Sequence, residues 1–166
     1  GEAVRPWIGP KTQVFDLKGL TVTPGLIDSH CHLSTGGAEE RFSLDLRFPT
    51  VKSIADIARQ VGDARQERKS GEWVQGSGWD EGKLAERRVI LASDLDPLTP
   101  DNPVWLEQTM GHYGTANAAA LKLAGVDRNT PDPAGGTIDP LPDGTPSGVL
   151  RENAMSLVTH RIPELT

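Results

Sequence analysis

Apolar and polar positions follow two different spacings along these 166 residues. Between residues 51 and 64, apolar side chains recur every three to four positions behind Thr50, a suitable helix N-cap. This spacing predicts an amphipathic helix that continues to Lys69 and packs its apolar stripe on a sheet. Short apolar runs bounded by turn residues predict strands instead, at residues 12–17, 20–23, 25–30, 42–46, 72–76 and 103–107.

The order of these elements indicates the fold class. A strand, a helix and a strand follow one another between residues 42 and 76, as expected for parallel strands joined by a crossover helix. Further helices are predicted at residues 92–95, 113–124 and 149–160, with Gly125 ending the second. The segment 126–148 is rich in proline and glycine and predicts loops with one small hairpin. We therefore expect an α/β fold.

Composition and charge restrict the partners. Seventeen basic and 23 acidic residues give a net charge of −6, which disfavours nucleic acid binding. No apolar run approaches the ~20 residues of a membrane helix, and no signal peptide is visible, so we expect a cytoplasmic protein. The single cysteine excludes an internal disulfide. The sequence leaves the oligomeric state open, a homo-oligomer included.

Two histidines one residue apart are the main candidate for chemistry. If residues 25–30 form a strand, the side chains of Asp28, His30 and His32 share one face, and Cys31 points to the other. Imidazoles roughly 6.5–7 Å apart along a strand can converge on one cation, and imidazole is a common zinc ligand. The alternative is that both histidines are merely packed or exposed.

The segment from Val14 to His32 resembles the entry to the metal-dependent amidohydrolase superfamily. The resemblance implies that a small β-sandwich segment, here residues 1–23, precedes the first part of a (β/α)8 barrel, residues 24–166. It also implies that His30 and His32 bind a divalent metal, most readily zinc. The other ligands and the proton-shuttling aspartate of that superfamily lie on later strands, so we expect no catalytic residue inside this chain.

Several later motifs narrow the resemblance to amidohydrolase family 3, the branch similar to N-substituted formamide deformylase. One departure is Ala116–Ala118, where that branch would have Val-Asn-Ser. The motifs lie at residues 78–80, 95–96, 103–106, 111–112, 117, 120–121, 132–136 and 144–150.

Three residues are candidates for contacting a substrate. His112 follows a predicted strand end, where barrel enzymes place their active-site loops; it could instead be a loop histidine bonded to backbone. Trp79 could line the same pocket or belong to the core. Asn117 could orient His112 or cap the helix that follows it.

The resemblance implies hydrolysis of a non-peptide amide or related carbon–nitrogen bond of a small molecule by a metal-activated water. A complete barrel needs ~250 residues, and the sequence starts with Gly1 rather than Met. We therefore expect an N-terminal fragment that is inactive alone. Two alternatives stay open: a non-catalytic or degenerate α/β module with structural histidines, and a Cys31 nucleophile served by His112 as base.

Overall fold

The computed structural model describes residues 2–29, 37 and 41–164. The chain divides into two compact units, Gly1–Cys31 and His32–Thr166. The first unit contains one 3₁₀ helix, Glu2–Trp7, and its other described residues form turns and irregular backbone. All of its described residues are exposed.

The strands expected in this first unit are not observed. Residues 12–17 and 20–23, and the described part of 25–30, have no strand backbone pairing. Leu26 and Ile27 are more than 90% exposed, although a buried strand was expected there. A strand is stable when neighbouring strands take up its N–H and C=O groups, and residues 12–28 pair with no described strand. His30, at the end of the third predicted strand, lies outside the described residues.

The second unit is built on a mixed sheet of six described strands, in the order β1-β2-β3-β4-β6-β5. Strands β1, β2 and β3 are parallel, whereas β4, β6 and β5 continue the sheet in antiparallel pairs. The strands are β1 Leu44–Asp45, β2 Val74–Trp79, β3 Val104–Gln108, β4 Tyr113–Ala116, β5 Gly136–Pro140 and β6 Pro146–Glu152.

Helices pack on the sheet through two apolar clusters. The helices are α1 Ile54–Gln66, α2 Ala92–Leu95, α3 Ala118–Ala124 and α4 Ser156–Thr159. Ile57 and Val61 of α1 join Val104 and Leu106 of β3 in the first cluster, while Trp105 joins α3 and α4 residues in the second. Because neighbouring residues of β3 face opposite ways, its side chains contribute to both clusters. No described helix is long and apolar enough to span a membrane.

Helix α1 confirms the prediction from spacing but is shorter than expected. It begins after Ser53, whose hydroxyl accepts a hydrogen bond from the Asp56 N–H at 3.1 Å. Thr50, the expected cap, lies in a turn three residues earlier. The strands predicted at 72–76 and 103–107 are present with ends shifted by up to three residues.

Two predicted helices are wrong in part. Residues 113–116 form β4, and only Ala118–Ala124 is helical. The helix expected at 149–160 starts as the last four residues of β6, which are followed by a 3₁₀ turn and the four residues of α4. In both segments pairing between antiparallel strands outweighs a local helical pattern, since β6 lies between β4 and β5 and bonds to both. The hairpin expected within 126–148 is confirmed as β5 and the start of β6.

Candidate functional site

Polar side chains gather at the edge of the sheet where the parallel strands β1, β2 and β3 end. The antiparallel strand β4 begins at this edge and β6 ends there, so the turn between β3 and β4 lies beside the last residues of β6. In open α/β sheets the carboxyl ends of parallel strands are the usual place for a ligand. Glu81, Gln108, His112, Tyr113, Arg151 and Glu152 lie at this edge.

Glu81, Gln108 and Tyr113 form the inner part of this group. The Gln108 amide donates to Glu81 Oε2 at 3.4 Å and accepts a hydrogen bond from the Met110 N–H at 2.7 Å. Burial, together with the adjacent Glu81 carboxylate, raises the pKa of the Tyr113 hydroxyl. Burial also acts to raise the pKa of Glu81, but Tyr113, its own N–H and Gln108 outweigh burial and keep that pKa below its usual range. Glu81 is thus an anion and Tyr113 a neutral phenol at neutral pH.

Arg151 extends this group towards β5. Its guanidinium makes a bidentate pair with Asp139, with Nη2 2.8 Å and Nε 2.9 Å from Oδ2. The same guanidinium lies 4.7 Å from the centre of the Tyr113 ring, within cation–π range. The Asp139 carboxylate raises the pKa of Arg151 further above its usual value. The positive charge of Arg151 is therefore held in place by two neighbours.

His112 is the most exposed member of the group and is paired with Glu152. Its Nδ1 lies 3.0 Å from Glu152 Oε1, and its side chain is 66% exposed. The Glu152 N–H also donates to the His112 carbonyl at 2.9 Å. His112 sits in the tight turn after β3, where Gly111 has a φ of +72°. The structure thus brings His112 to the expected strand end and adds a carboxylate partner.

Trp79 is placed in the core beneath this edge. It is fully buried, and its indole N–H donates to the Leu106 carbonyl at 3.2 Å. Its ring meets the Tyr113 ring edge to face, with 5.6 Å between the ring centres. Trp79 thus packs beneath Tyr113 and is not itself exposed at this edge.

Asn117 lies at the opposite edge of the sheet from His112. Its Oδ1 accepts hydrogen bonds from the N–H groups of Val104, the first residue of β3, and of Ala120 in α3, both at 2.9 Å. Its Nδ2 donates to the carbonyls of Thr99 and Asn102 and to the Thr99 hydroxyl. The four residues of β4 lie between it and His112, a separation of roughly 16 Å along the strand. The structure does not bring the two together.

The proposed metal ligands His30 and His32, and Cys31 between them, lie outside the described residues. Among residues 2–29, 37 and 41–164 no group of three or more His, Cys, Asp or Glu side chains is arranged to hold a metal ion. Asp28, two residues before His30, is exposed. The pair thus remains a prediction from the motif.

Sequence reasoning missed every member of this group except His112. Tyr113, Arg151 and Glu152 lie in segments whose helical spacing concealed two antiparallel strands. In the register of β4 and β6, Tyr113 is opposite Arg151, which places His112 beside Glu152. A strand could have been recognised here from the hydrophobic residues around the β-branched Val149 and from the charged residues that follow at the strand end.

This chain is similar to known proteins in sequence and in fold. The model of the Amidohydrolase family matches residues 13–166. Protein LONG AFTER FAR-RED 3 of Arabidopsis thaliana is 41% identical over 98% of this chain and 27% of its own length. N-substituted formamide deformylase of Arthrobacter pascens is 35% identical over 93% of this chain and 28% of its own length. An uncharacterised metal-dependent hydrolase from Pyrococcus furiosus superposes with a TM-score of 0.55 and 28% identity, covering 82% of this chain and 24% of that one.

The mixed α/β fold with its six-stranded sheet is thus similar to the fold of a metal-dependent hydrolase. With a family match over nearly its whole length, the chain belongs to the amidohydrolase family. It spans under a third of the length of the two curated relatives.

Proposed function

We propose that this chain is the first part of a metal-dependent hydrolase that cleaves non-peptide carbon–nitrogen bonds of small molecules. The observation that carries the proposal is the family match over residues 13–166, which includes the His-x-His motif. The similarity to an N-substituted formamide deformylase suggests amides such as N-substituted formamides as the substrate class. We also propose that residues 24–166, which include β1, β2, β3 and α1, are the first part of a (β/α)8 barrel, preceded by residues 1–23 as the end of a β-sandwich segment.

His30 and His32 are the proposed ligands of a divalent ion, with zinc as the first candidate. Neutral imidazoles separated by one residue suit such an ion chemically. When bound, the ion would supply Lewis acidity towards an amide carbonyl and lower the pKa of a water molecule. Further ligands would come from outside this sequence, because two imidazoles alone do not hold a catalytic ion tightly.

The residues of the sheet edge would bind and orient the substrate. Of the three residues predicted to contact substrate, His112 is exposed at this edge and is the one we propose for direct contact. Trp79 would act indirectly, by holding Tyr113 against Glu81. Asn117 would act indirectly too, by holding the starts of β3 and α3 in place. The reaction would consume one amide and one water and release a carboxylic acid and an amine.

The test is a pair of histidine substitutions in the full chain that carries this sequence. His30→Ala with His32→Ala should remove both the bound metal, measured by mass spectrometry, and the hydrolysis of N-benzylformamide, measured as formate released. His160→Ala, an exposed histidine at the end of α4, is the matched control and should retain both. Metal and activity retained in the double variant would overturn the ligand assignment. A wild-type chain with neither metal nor activity would favour the non-catalytic module instead.

A further inference from the structure

The pairing of His112 with Glu152 is more than a contact between two surface side chains. An ordinary exposed ion pair contributes little and has no fixed geometry. Here the two residues are also joined through the backbone, because the Glu152 N–H donates to the His112 carbonyl at 2.9 Å. His112 directly precedes β4, and Glu152 is the last residue of β6. These two strands are antiparallel, and their pairing starts with Tyr113 opposite Arg151. The sheet therefore fixes the backbones of the two residues side by side, which places the carboxylate within reach of the imidazole.

Glu152 holds this position with a strained backbone. Its φ is +49° and its ψ is −126°, a region that glycine tolerates and other residues rarely enter. Such conformations persist only where the surroundings enforce them, and they are frequent at functional sites. A glycine would avoid the strain but would present no carboxylate to His112. The strained backbone thus coincides with a carboxylate that glycine could not present to His112.

The start of β5 enforces the conformation of Glu152. A Cβ atom on Gly136 would clash with the Ala154 nitrogen and lie 2.9 Å from the Arg151 carbonyl oxygen, so the backbone of β5 presses directly on the turn around Glu152. The Asn153 N–H donates to the Gly135 carbonyl at 3.2 Å, and the Asn153 side chain donates to the Ala134 carbonyl at 2.8 Å. The backbone of Glu152 is therefore held at a place from which its carboxylate reaches the imidazole.

We propose that Glu152 is a positioning residue that keeps His112 in the tautomer with its proton on Nδ1. The Nδ1–H donates to Glu152 Oε1, and Nε2 then presents a lone pair at the carboxyl edge of the parallel strands. A lone pair held there accepts a hydrogen bond from the N–H of a secondary amide. The substrate part of this inference rests on the proposed function, whereas the tautomer does not.

The tautomer is measured on the chain itself by long-range ¹H–¹⁵N NMR at about pH 8, where imidazole is neutral. In the wild type we expect His112 to carry its proton on Nδ1. Glu152→Gln keeps a side-chain carbonyl as acceptor and should retain this tautomer, whereas Glu152→Ala should lose it. The spectrum of His160, an exposed imidazole, is the internal control and should not change. A wild-type His112 protonated on Nε2, or a tautomer unaffected by Glu152→Ala, would overturn the proposal.

The second readout is the binding of N-methylformamide, a secondary-amide probe. Binding is monitored by the change in the ¹⁵N chemical shift of His112 Nε2. Titration should shift this nitrogen in the wild type and in Glu152→Gln, and not in Glu152→Ala. In the full chain, Glu152→Ala should raise KM for N-benzylformamide about three- to tenfold, the effect of losing one hydrogen bond. Absence of the shift in the wild type would overturn the substrate part.

The two proposals fail separately. His30→Ala with His32→Ala should abolish metal binding and leave the His112 tautomer unchanged. If the full chain proves inactive but the tautomer depends on Glu152, the proposed reaction is wrong and the positioning role stands. If metal and activity behave as expected but the tautomer does not depend on Glu152, the positioning role is wrong and the proposed reaction stands.

Discussion

At the scale of single residues, the strain in the Glu152 backbone can be tested separately from the role of the Glu152 carboxylate. Glu152→Gly and Glu152→Ala both remove the carboxylate, but only glycine relaxes the positive φ. We therefore expect the glycine variant to be more stable than the alanine variant by about 1 kcal/mol, measured by urea unfolding. Equal stability of the two variants would show that this backbone conformation is not strained.

Asn117 joins β3, α3 and the loop that precedes β3 through a single side chain. Its amide contacts three acceptors and two N–H donors, and each of these five hydrogen bonds is buried. Asn117→Ala should lower the free energy of unfolding by about 3 kcal/mol, since it removes a helix cap and leaves buried polar groups unpaired.

Two further variants make the Asn117 prediction specific. Asn117→Asp keeps the acceptor but places an oxygen against the carbonyls of Thr99 and Asn102, so it should also destabilise the fold. Asn129→Ala, at an exposed loop asparagine, is the control and should change stability by less than about 0.5 kcal/mol. An Asn117→Ala protein with wild-type thermal unfolding would contradict this structural role.

At the scale of elements, the pairing of β3 with β4 depends on the absence of a side chain at Gly114. A Cβ there would overlap the Trp105 ring and lie 2.9 Å from the Leu106 carbonyl oxygen, so Trp105 or the strand would have to move. Gly114→Ala should destabilise the unit by about 2 kcal/mol, measured by the shift in thermal midpoint. An unchanged midpoint would mean that the Trp105 ring does not pack across β4.

Gly62 in α1 provides the opposite case. A Cβ there would meet the Leu98 side chain at an ordinary 3.4 Å, and α1 would exchange a glycine for the best helix former. Gly62→Ala should therefore stabilise the protein by about 0.5–1 kcal/mol, as measured by urea unfolding. A loss of stability would indicate that α1 and Leu98 are packed too closely for one more methyl group.

The elements also show where sequence patterns are sufficient and where they fail. Helix α1 and the parallel strands β2 and β3 have clear local signals, a 3.6-residue period or a compact apolar run, and were predicted. Strands β4 and β6 depend on each other over more than 30 residues, while their own residues also fit a helical spacing. A pattern within one segment contains no information about a distant partner strand, so these two were missed.

At the scale of the whole molecule, the lack of information about distant partner strands also limits how much of the site could be predicted. His112 was found because a histidine after a buried strand stands at a predictable edge. Glu152 reaches that edge only through the register of β6 with β4 and β5, and its proposed role rests on a backbone angle that the sequence does not reveal. Trp79 and Asn117 were recognised as notable residues, but the sequence did not reveal that both are fully buried.

The whole molecule should lose stability in acid, for reasons spread over its second unit. The pKa of several carboxyl groups lies below the ordinary value, so the folded state binds fewer protons than the unfolded state as the pH falls. These groups are Asp45, Asp56, Glu81, Asp94 and Asp143.

Each of these groups stabilises the fold fully above its unfolded pKa, 3.8 for aspartate and 4.5 for glutamate, and loses that effect as the pH falls through its folded value.

Asp94 is the clearest case. Burial opposes its ionisation, but the Arg88 guanidinium and the Leu91 N–H outweigh burial and lower its pKa. We expect the urea midpoint to be constant from about pH 7 to 5 and to fall below about pH 4.5. Asp94→Asn should be less stable at about pH 7, and its difference from the wild type should begin to shrink between about pH 4 and pH 3, because the unfolded chain then gains a proton at Asp94 while the paired carboxylate in the fold resists protonation. A difference that stays constant across this range would show that the charge of Asp94 does not contribute to stability.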